Sequence, residues 1–171
     1  MGLLTPNEIK DFESLYSLQL QYLLSTENQI VNSLQSMIAH ASDTQLQQAF
    51  QSHLQETELH VERLEQLIPD VNKGEVDDKK DAIAAALIAS GENIVKESDG
   101  GPVRDAGLIA TAQKIEHYEM ASYGSARDWA GILGLAGHVE LLQKTLEEEK
   151  HADHLLTTIA QRANVAAAAA S

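Results

Sequence analysis

Residues 105–132 read DAGLIATAQKIEHYEMASYGSARDWAGI. Apolar and small residues recur here every three or four positions, which is the spacing of one buried face on an α-helix. Two acidic residues, Glu116 and Glu119, fall on that face, where a helix bundle would ordinarily place leucine. A buried carboxylate without a partner is very costly. This stretch therefore predicts a helix, helix C, whose buried face carries a chemical function as well as packing.

Three further segments show the same periodicity, so four long amphipathic helices are predicted. Two capping boxes, at residues 5–8 and 42–45, mark the starts of helices A and B. Pro69 is expected to stop helix B, and the turn at Gly134 to separate helices C and D. The predicted bounds are about 6–40 for helix A, 42–68 for helix B, 105–132 for helix C and from that turn to about Ala163 for helix D.

The lengths of the connections predict the topology. The A–B and C–D turns are only a few residues long, so each pair of helices should form an antiparallel hairpin. The B–C connection, residues 69–104, is long enough to traverse the bundle, and about 79–95 within it has the pattern of a short helix. We expect an all-α, ferritin-like up-down-down-up four-helix bundle over residues 1–165, followed by a disordered Ala-rich tail at 166–171.

The acidic residues of the four helices should meet at one level. Glu27 and Glu56 each lie roughly 14 residues, or ~20 Å, from the A–B turn. Glu119 and Glu149 lie about equally far from the C–D turn, at the opposite end of the bundle. Both pairs therefore fall near mid-height, where several carboxylates would repel one another unless a multivalent cation lay between them.

A metal site is the leading interpretation of this convergence. Oxygen-rich ligands with one or two imidazoles suit two iron or manganese ions, with zinc also possible. The predicted ligands are Glu27, His53, Glu56, Glu116, Glu119 and Glu149. Further ligands, or residues that hold the ligands in place, are His60, Tyr123, Glu148, His151 and Asp153. The competing interpretations are buried salt bridges for the carboxylates, a core position for His60, and an inward Tyr123 bonded to a carboxylate. A small rotation of helix D would exchange Glu149 for Glu148.

Composition narrows the class of function. The formal charge of −14 argues against nucleic acid and against an anionic membrane surface as partners. The absence of cysteine excludes thiolate metal sites and cysteine nucleophiles. Neither a leader sequence nor a membrane-spanning run is recognisable, and a cytoplasmic location is expected.

Several segments resemble the bacterial YciE/YciF-type stress proteins of the ferritin-like superfamily. They are Glu27-Asn28-Gln29, His53-Leu54-Gln55-Glu56-Thr57, residues 116–123 (EHYEMASY) and Leu146-Glu147-Glu148-Glu149-Lys150. The resemblance covers roughly residues 5–163. It implies a rubrerythrin-like bundle, a stress setting, a homodimer and a dinuclear metal site. The chain lacks the paired cysteines of rubrerythrins and departs from their double Glu-x-x-His pattern.

Two functions of different classes are consistent with these features. One is a di-metal carboxylate protein that reacts with dioxygen or peroxide, which would make it an oxidoreductase if it turns over. The other is a non-catalytic, dimeric stress-response bundle with a structural or vestigial metal site. Metal content would discriminate between them.

Overall fold

The computed structural model describes residues 9–71 and 80–170. Over these residues the chain forms five α-helices and no strand, which confirms the all-α prediction. The helices are α1 (Phe12–His40), α2 (Thr44–Val71), α3 (Ala82–Glu97), α4 (Gly101–Ile132) and α5 (Ala136–Ala169). Helices α1, α2, α4 and α5 form the four-helix bundle, and α3 is the short helix of the crossover.

Contacts at one end of the bundle establish the directions of the helices. The carboxylate of Asp105, near the start of α4, accepts hydrogen bonds from the backbone N–H groups of Ser42 and Asp43, at 2.7 and 2.9 Å. Arg162, near the end of α5, bonds the Asp43 carboxylate at 2.7 Å. The end of α1 and the starts of α2 and α4 therefore lie together with the end of α5. This is the predicted up-down-down-up order.

The opposite end is held by a chain of polar groups that runs from the interior to the surface. The Tyr16 hydroxyl on α1 lies 2.8 Å from Nδ1 of His138 at the start of α5. The other ring nitrogen of His138 lies 3.2 Å from Asp70 at the end of α2. His138 is only 5% exposed, so its imidazole lies in the interior.

Several predicted helix ends are displaced in the structure. Helix α1 begins at Phe12, where Asp11 and Ser14 form a capping box; the capping box predicted at residues 5–8 lies outside the described residues. Pro69 sits inside the last turn of α2, where it removes a single hydrogen bond and the helix continues to Val71. Helix α4 begins at Gly101, because Pro102 suits a first turn.

Helix α5 also differs from its prediction. It continues to Ala169, so residues 166–169 are helical and not the predicted disordered tail. Alanine has the highest helix propensity, which explains why the run of alanines extends the helix instead of fraying it. Among residues 9–71 and 80–170 we find no helix long and apolar enough to cross a membrane.

Two apolar clusters fill the interior and leave a polar layer between them. One cluster, near the α1–α2 turn, includes Ile30, Phe50 and Ile115. The other, toward the α4–α5 turn, includes Leu24 and Tyr123 among its members. Between these two clusters lie six buried acidic and imidazole residues of the four long helices: Glu27, His53, His60, Glu116, Glu119 and Glu149. The polar layer therefore lies at mid-height, as predicted.

Asp81 attaches the crossover helix α3 to the bundle. It is 4% exposed, and its carboxylate accepts hydrogen bonds from the backbone of Ile83 and Ala84 at the start of α3. It also accepts from the hydroxyls of Thr26 on α1 and Tyr118 on α4. One side chain thus joins three helices.

Asp81→Ala should lower the free energy of unfolding by about 2–3 kcal/mol, because it removes a helix cap and leaves the buried hydroxyl of Thr26 and the partly buried hydroxyl of Tyr118 without this acceptor. Urea denaturation would measure the loss, with Asp99→Ala, an exposed aspartate just after α3, as the control. Equal stability of the two variants would show that Asp81 does not hold the crossover in place.

Candidate metal centre

Six ionisable side chains meet in the polar layer at mid-height. Their exposed fractions range from 0% to 7%, so the layer is largely shielded from bulk water. They form two groups that share Glu149, and in each group the candidate ligand atoms lie within 4.8 Å of one another. The first group is Glu27, His60 and Glu149; the second is His53, Glu116, Glu119 and Glu149.

The distances within the layer suit ligands gathered around small ions. Nδ1 of His60 lies 2.9 Å from Oε1 of Glu149 and 3.5 Å from Oε1 of Glu27. Nε2 of His53 lies 3.3 Å from Oε1 of Glu116 and 3.8 Å from Oε2 of Glu149. The two carboxylate oxygens of Glu149 therefore face different histidines, one toward each group.

Many of these buried atoms have no hydrogen-bond partner. Both oxygens of Glu119 and of Glu149 lack one, as does one oxygen each of Glu27 and Glu116. Nδ1 of both histidines is also without a hydrogen bond. Buried polar atoms are nearly always satisfied, so a cluster of unpartnered ones needs an explanation. A set of carboxylates with two imidazoles fits iron or manganese, and less selectively zinc.

The electrostatics of the layer favour bound protons on several of its groups. Burial raises the pKa of Glu27, and raises those of Glu116 and Glu119 well above the usual range. Burial alone would lower the pKa of His60, but the Glu27 and Glu149 carboxylates raise it to about 11. The pKa of His53 rises to about 9, since the attraction of Glu116 and its other carboxylate neighbours outweighs its burial. Bound protons thus offset part of the negative charge.

A second layer of contacts orients His60. Its Nε2 lies 3.0 Å from the Glu148 carboxylate, which Arg63 also binds through two nitrogens. Arg63 in turn donates to the Thr145 hydroxyl at 2.9 Å. Both ring nitrogens of His60 thus face carboxylates, which can only accept, so the protonated ring can donate on both sides. A metal bound at Nδ1 would leave the remaining hydrogen on Nε2, where Glu148 accepts it.

Tyr123 is fixed beside the same histidine. Its hydroxyl donates to Oε1 of Glu27, and its ring meets the His60 ring edge-on at 6.3 Å between centroids. The tyrosine is 1% exposed. The prediction that it packs inward with its hydroxyl on a carboxylate is confirmed.

Glu56 is the main departure from the predicted set. Its side chain is 38% exposed, and its contact with the centre is a distance of 3.8 Å from Oε2 to Nδ1 of His53. The inward position on this turn of α2 is taken by Thr57, which is fully buried and donates to the His53 carbonyl. The prediction that Glu56 faces inward is therefore wrong.

The structure places the further candidates named from the sequence in different positions relative to the centre. His60, one of these further candidates, lies in the centre of the layer. Glu148 reaches the back of His60, while Glu149 holds the inward position on α5. His151 is exposed. Asp153 lies on the outer side, bonded to Gln113 at 3.1 Å and 3.3 Å from His117. That any of these residues binds a metal stays a prediction.

Comparison with known proteins gives relatives that span nearly the whole chain. The chain is 36% identical over 152 residues to Protein YciF of Escherichia coli strain K12, covering 89% of this chain and 92% of YciF. The crystal structure of the E. coli stress protein YciF matches with a TM-score of 0.87 and 35% identity, over 91% of this chain and 98% of YciF.

A second solved structure is nearly as similar. It is YcfI of Rhodopseudomonas palustris, called a "putative structural protein", with a TM-score of 0.85 and 33% identity over 91% of this chain and 98% of that one. The family model described as a domain of unknown function, DUF892, matches residues 11–170. The resemblance seen in the sequence is thereby confirmed, and the chain belongs to the DUF892 family and is similar to the stress protein YciF in sequence and fold.

Proposed function

We propose that this protein is a ferritin-like carboxylate protein that binds two iron or manganese ions in its polar layer. The observation that carries the proposal is the number of buried atoms without a hydrogen bond: eight nitrogen and oxygen atoms of six converging side chains. Two of these atoms, Nδ1 of His60 and Oε1 of Glu149, lie 2.9 Å apart as an ion pair. Such a layer is costly as a purely structural feature and is accounted for by cations.

The two groups of side chains define the proposed ligands. Glu27 and His60 would hold one ion. The other ion would be held by His53, Glu116 and Glu119, and Glu149 would be shared between the two. Bound iron or manganese would supply redox chemistry toward dioxygen or peroxide. Tyr123 keeps the Glu27 carboxylate in place, and Glu148 keeps the His60 ring in place. The apolar clusters on either side exclude water.

Metal content tests the proposal directly. Untagged protein from cells grown with added iron and manganese should contain about two such ions per chain by plasma mass spectrometry. Loaded protein should then consume peroxide or dioxygen faster than the metal-free protein. Protein without stoichiometric metal, even after addition of Fe²⁺ or Mn²⁺ in vitro, would overturn the proposal.

Metal binding should release protons and weaken as the pH falls. The pKa of His53 is about 9 and that of His60 about 11, so both imidazoles are protonated at neutral pH and must lose a proton before binding metal. Affinity should therefore rise with pH through about 9, where His53 loses its proton, and continue to rise toward about 11, where His60 loses its own. Calorimetry of Mn²⁺ binding in buffers of different ionisation enthalpy would count the protons, and a heat independent of the buffer would contradict this prediction.

Glu148→Gln should weaken metal binding roughly 10–100-fold, because a carboxylate that orients a ligating histidine contributes about that much. The amide introduced by this substitution could present its N–H₂ group to His60 and favour the wrong tautomer. Titration with Mn²⁺ would measure the change, with the exposed neighbour Glu147→Gln as a control of equal charge. Similar affinities for the two variants would remove Glu148 from this role.

A structural role is the second candidate function, favoured by the description of the relative YcfI. In this case the protein would act as a homodimeric bundle, and protons together with His–Glu ion pairs would stabilise the polar layer. Light scattering on metal-free protein would test the dimer. A stable dimer that takes up no metal would favour this function over the di-metal one.

A further inference from the structure

A pocket of about 240 Å³ leads from the surface to the polar layer, between α2, α4 and α5. Its inner end is formed by His53 and Glu116, which belong to the candidate metal centre. Glu56, His151 and Leu155 also line it and are accessible to solvent. The pocket therefore connects bulk water with two of the six central side chains.

Two other sizeable cavities within the described residues do not reach this layer. One, of about 320 Å³, lies between α1, α3 and α4, and another, of about 500 Å³, lies beside Tyr118 and Trp129. Neither is lined by any of the six side chains. Glu27, Glu119 and Glu149 are themselves 0% exposed, so an ion bound to them must first pass other residues.

The inner end of the pocket carries unpartnered atoms. Nδ1 of His53 and one oxygen of Glu116 have no hydrogen bond, although these residues are only 7% and 2% exposed. The two nitrogens of His53 lie on different sides of the ring. Nε2 is 3.3 Å from Glu116 in the centre, and Nδ1 is 3.8 Å from Glu56 at the edge of the pocket.

We propose that this pocket is the route by which divalent cations reach the centre, and that Glu56 is the first carboxylate they meet. The inference rests on the proposed function. A doubly charged ion would first be attracted by the exposed Glu56 and would then pass the His53 ring to reach Glu116 and the other carboxylates of the centre. Apolar walls, including Phe50 and Leu156, strengthen this attraction because they lower the local dielectric constant. The position of Glu56, outside the centre yet next to its histidine, is explained by this role.

The test is the rate at which metal-free protein takes up Mn²⁺, followed by the loss of the free-ion electron paramagnetic resonance signal. Glu56→Gln should slow uptake about tenfold at low ionic strength, and the difference should shrink as salt is added. Leu155→Trp should slow it by narrowing the pocket, and Leu155 is 37% exposed, so the larger side chain has room to be accommodated. Glu58→Gln, an exposed site on the same helix that does not line the pocket, is the control of equal charge.

The outcomes separate this inference from the proposed function. Slow uptake by Glu56→Gln and Leu155→Trp, with the wild-type amount of Mn²⁺ bound at the end, would support the route. Uptake as fast as in the control would overturn the route while leaving the di-metal proposal intact. A lower final Mn²⁺ content in Glu56→Gln alone would also overturn it, by making Glu56 a permanent ligand. Failure of the wild-type protein to bind Mn²⁺ would overturn both.

Discussion

Glu149→Gln is expected to abolish metal binding at both positions of the centre. The side chain is fully buried, and its two oxygens face His60 and His53, one in each group. Glutamine keeps the shape and removes the negative charge, so neither group retains its shared carboxylate. Loss of an orienting contact alone costs roughly 10–100-fold in affinity, and removal of a shared ligand should cost more than ~100-fold.

Plasma mass spectrometry and Mn²⁺ titration would measure this effect. Glu140→Gln, an exposed glutamate on the same helix, is the matched control and should bind metal as the wild type does. Loss of only one of two ions would mean that Glu149 is not shared. Full retention would contradict the assignment of the centre to this layer.

Much of this layer could be predicted from the sequence because helical periodicity is strong in all four long helices. Glu27, Glu116, Glu119 and Glu149 fall on apolar faces, and the lengths of the turns place them at one height. The height of each carboxylate follows from a rise of about 1.5 Å per residue. A small error in the predicted end of a helix therefore changes this height only slightly. The level was therefore more predictable than the ends of the helices themselves.

The parts that could not be predicted depend on the rotation of a helix about its own axis, by less than the angle between neighbouring residues. On α2, residues 56 and 57 lie about 100° apart, and a wide apolar face can turn either of them inward. The structure turns Thr57 inward, and His53 and His60, about two turns apart in sequence, both stay on the buried face. The spacing of these two histidines was the signal that could have placed His60 in the centre.

Longer-range contacts were also beyond the sequence. Nothing in the local pattern pairs Arg63 with Glu148, which lie on different helices and are 85 residues apart. The burial of His138 follows from its contacts with Tyr16 and Asp70, on two other helices. Such partners are determined by how the helices pack, so they are visible only in three dimensions.

Glu119→Leu should stabilise the metal-free protein and weaken metal binding. Glu119 is 0% exposed, neither of its oxygens has a hydrogen bond, and burial raises its pKa well above the usual range. A buried polar group left unsatisfied costs about 1–3 kcal/mol, so an apolar side chain of similar size should raise the free energy of unfolding by about that amount. The gain should appear only when metal is absent.

With metal in excess, the order of the two proteins should reverse. An ion at about 1,000 times its dissociation constant stabilises the folded state by about 4 kcal/mol, and the variant should lose most of this contribution. Urea denaturation with and without Mn²⁺ would measure both effects, with the exposed Glu62→Leu as a control for the added leucine. A variant less stable than the wild type under both conditions would show that Glu119 belongs to a structural network. The reversal is the signature of a layer built for cations, because only then does one carboxylate destabilise the empty fold and stabilise the loaded one.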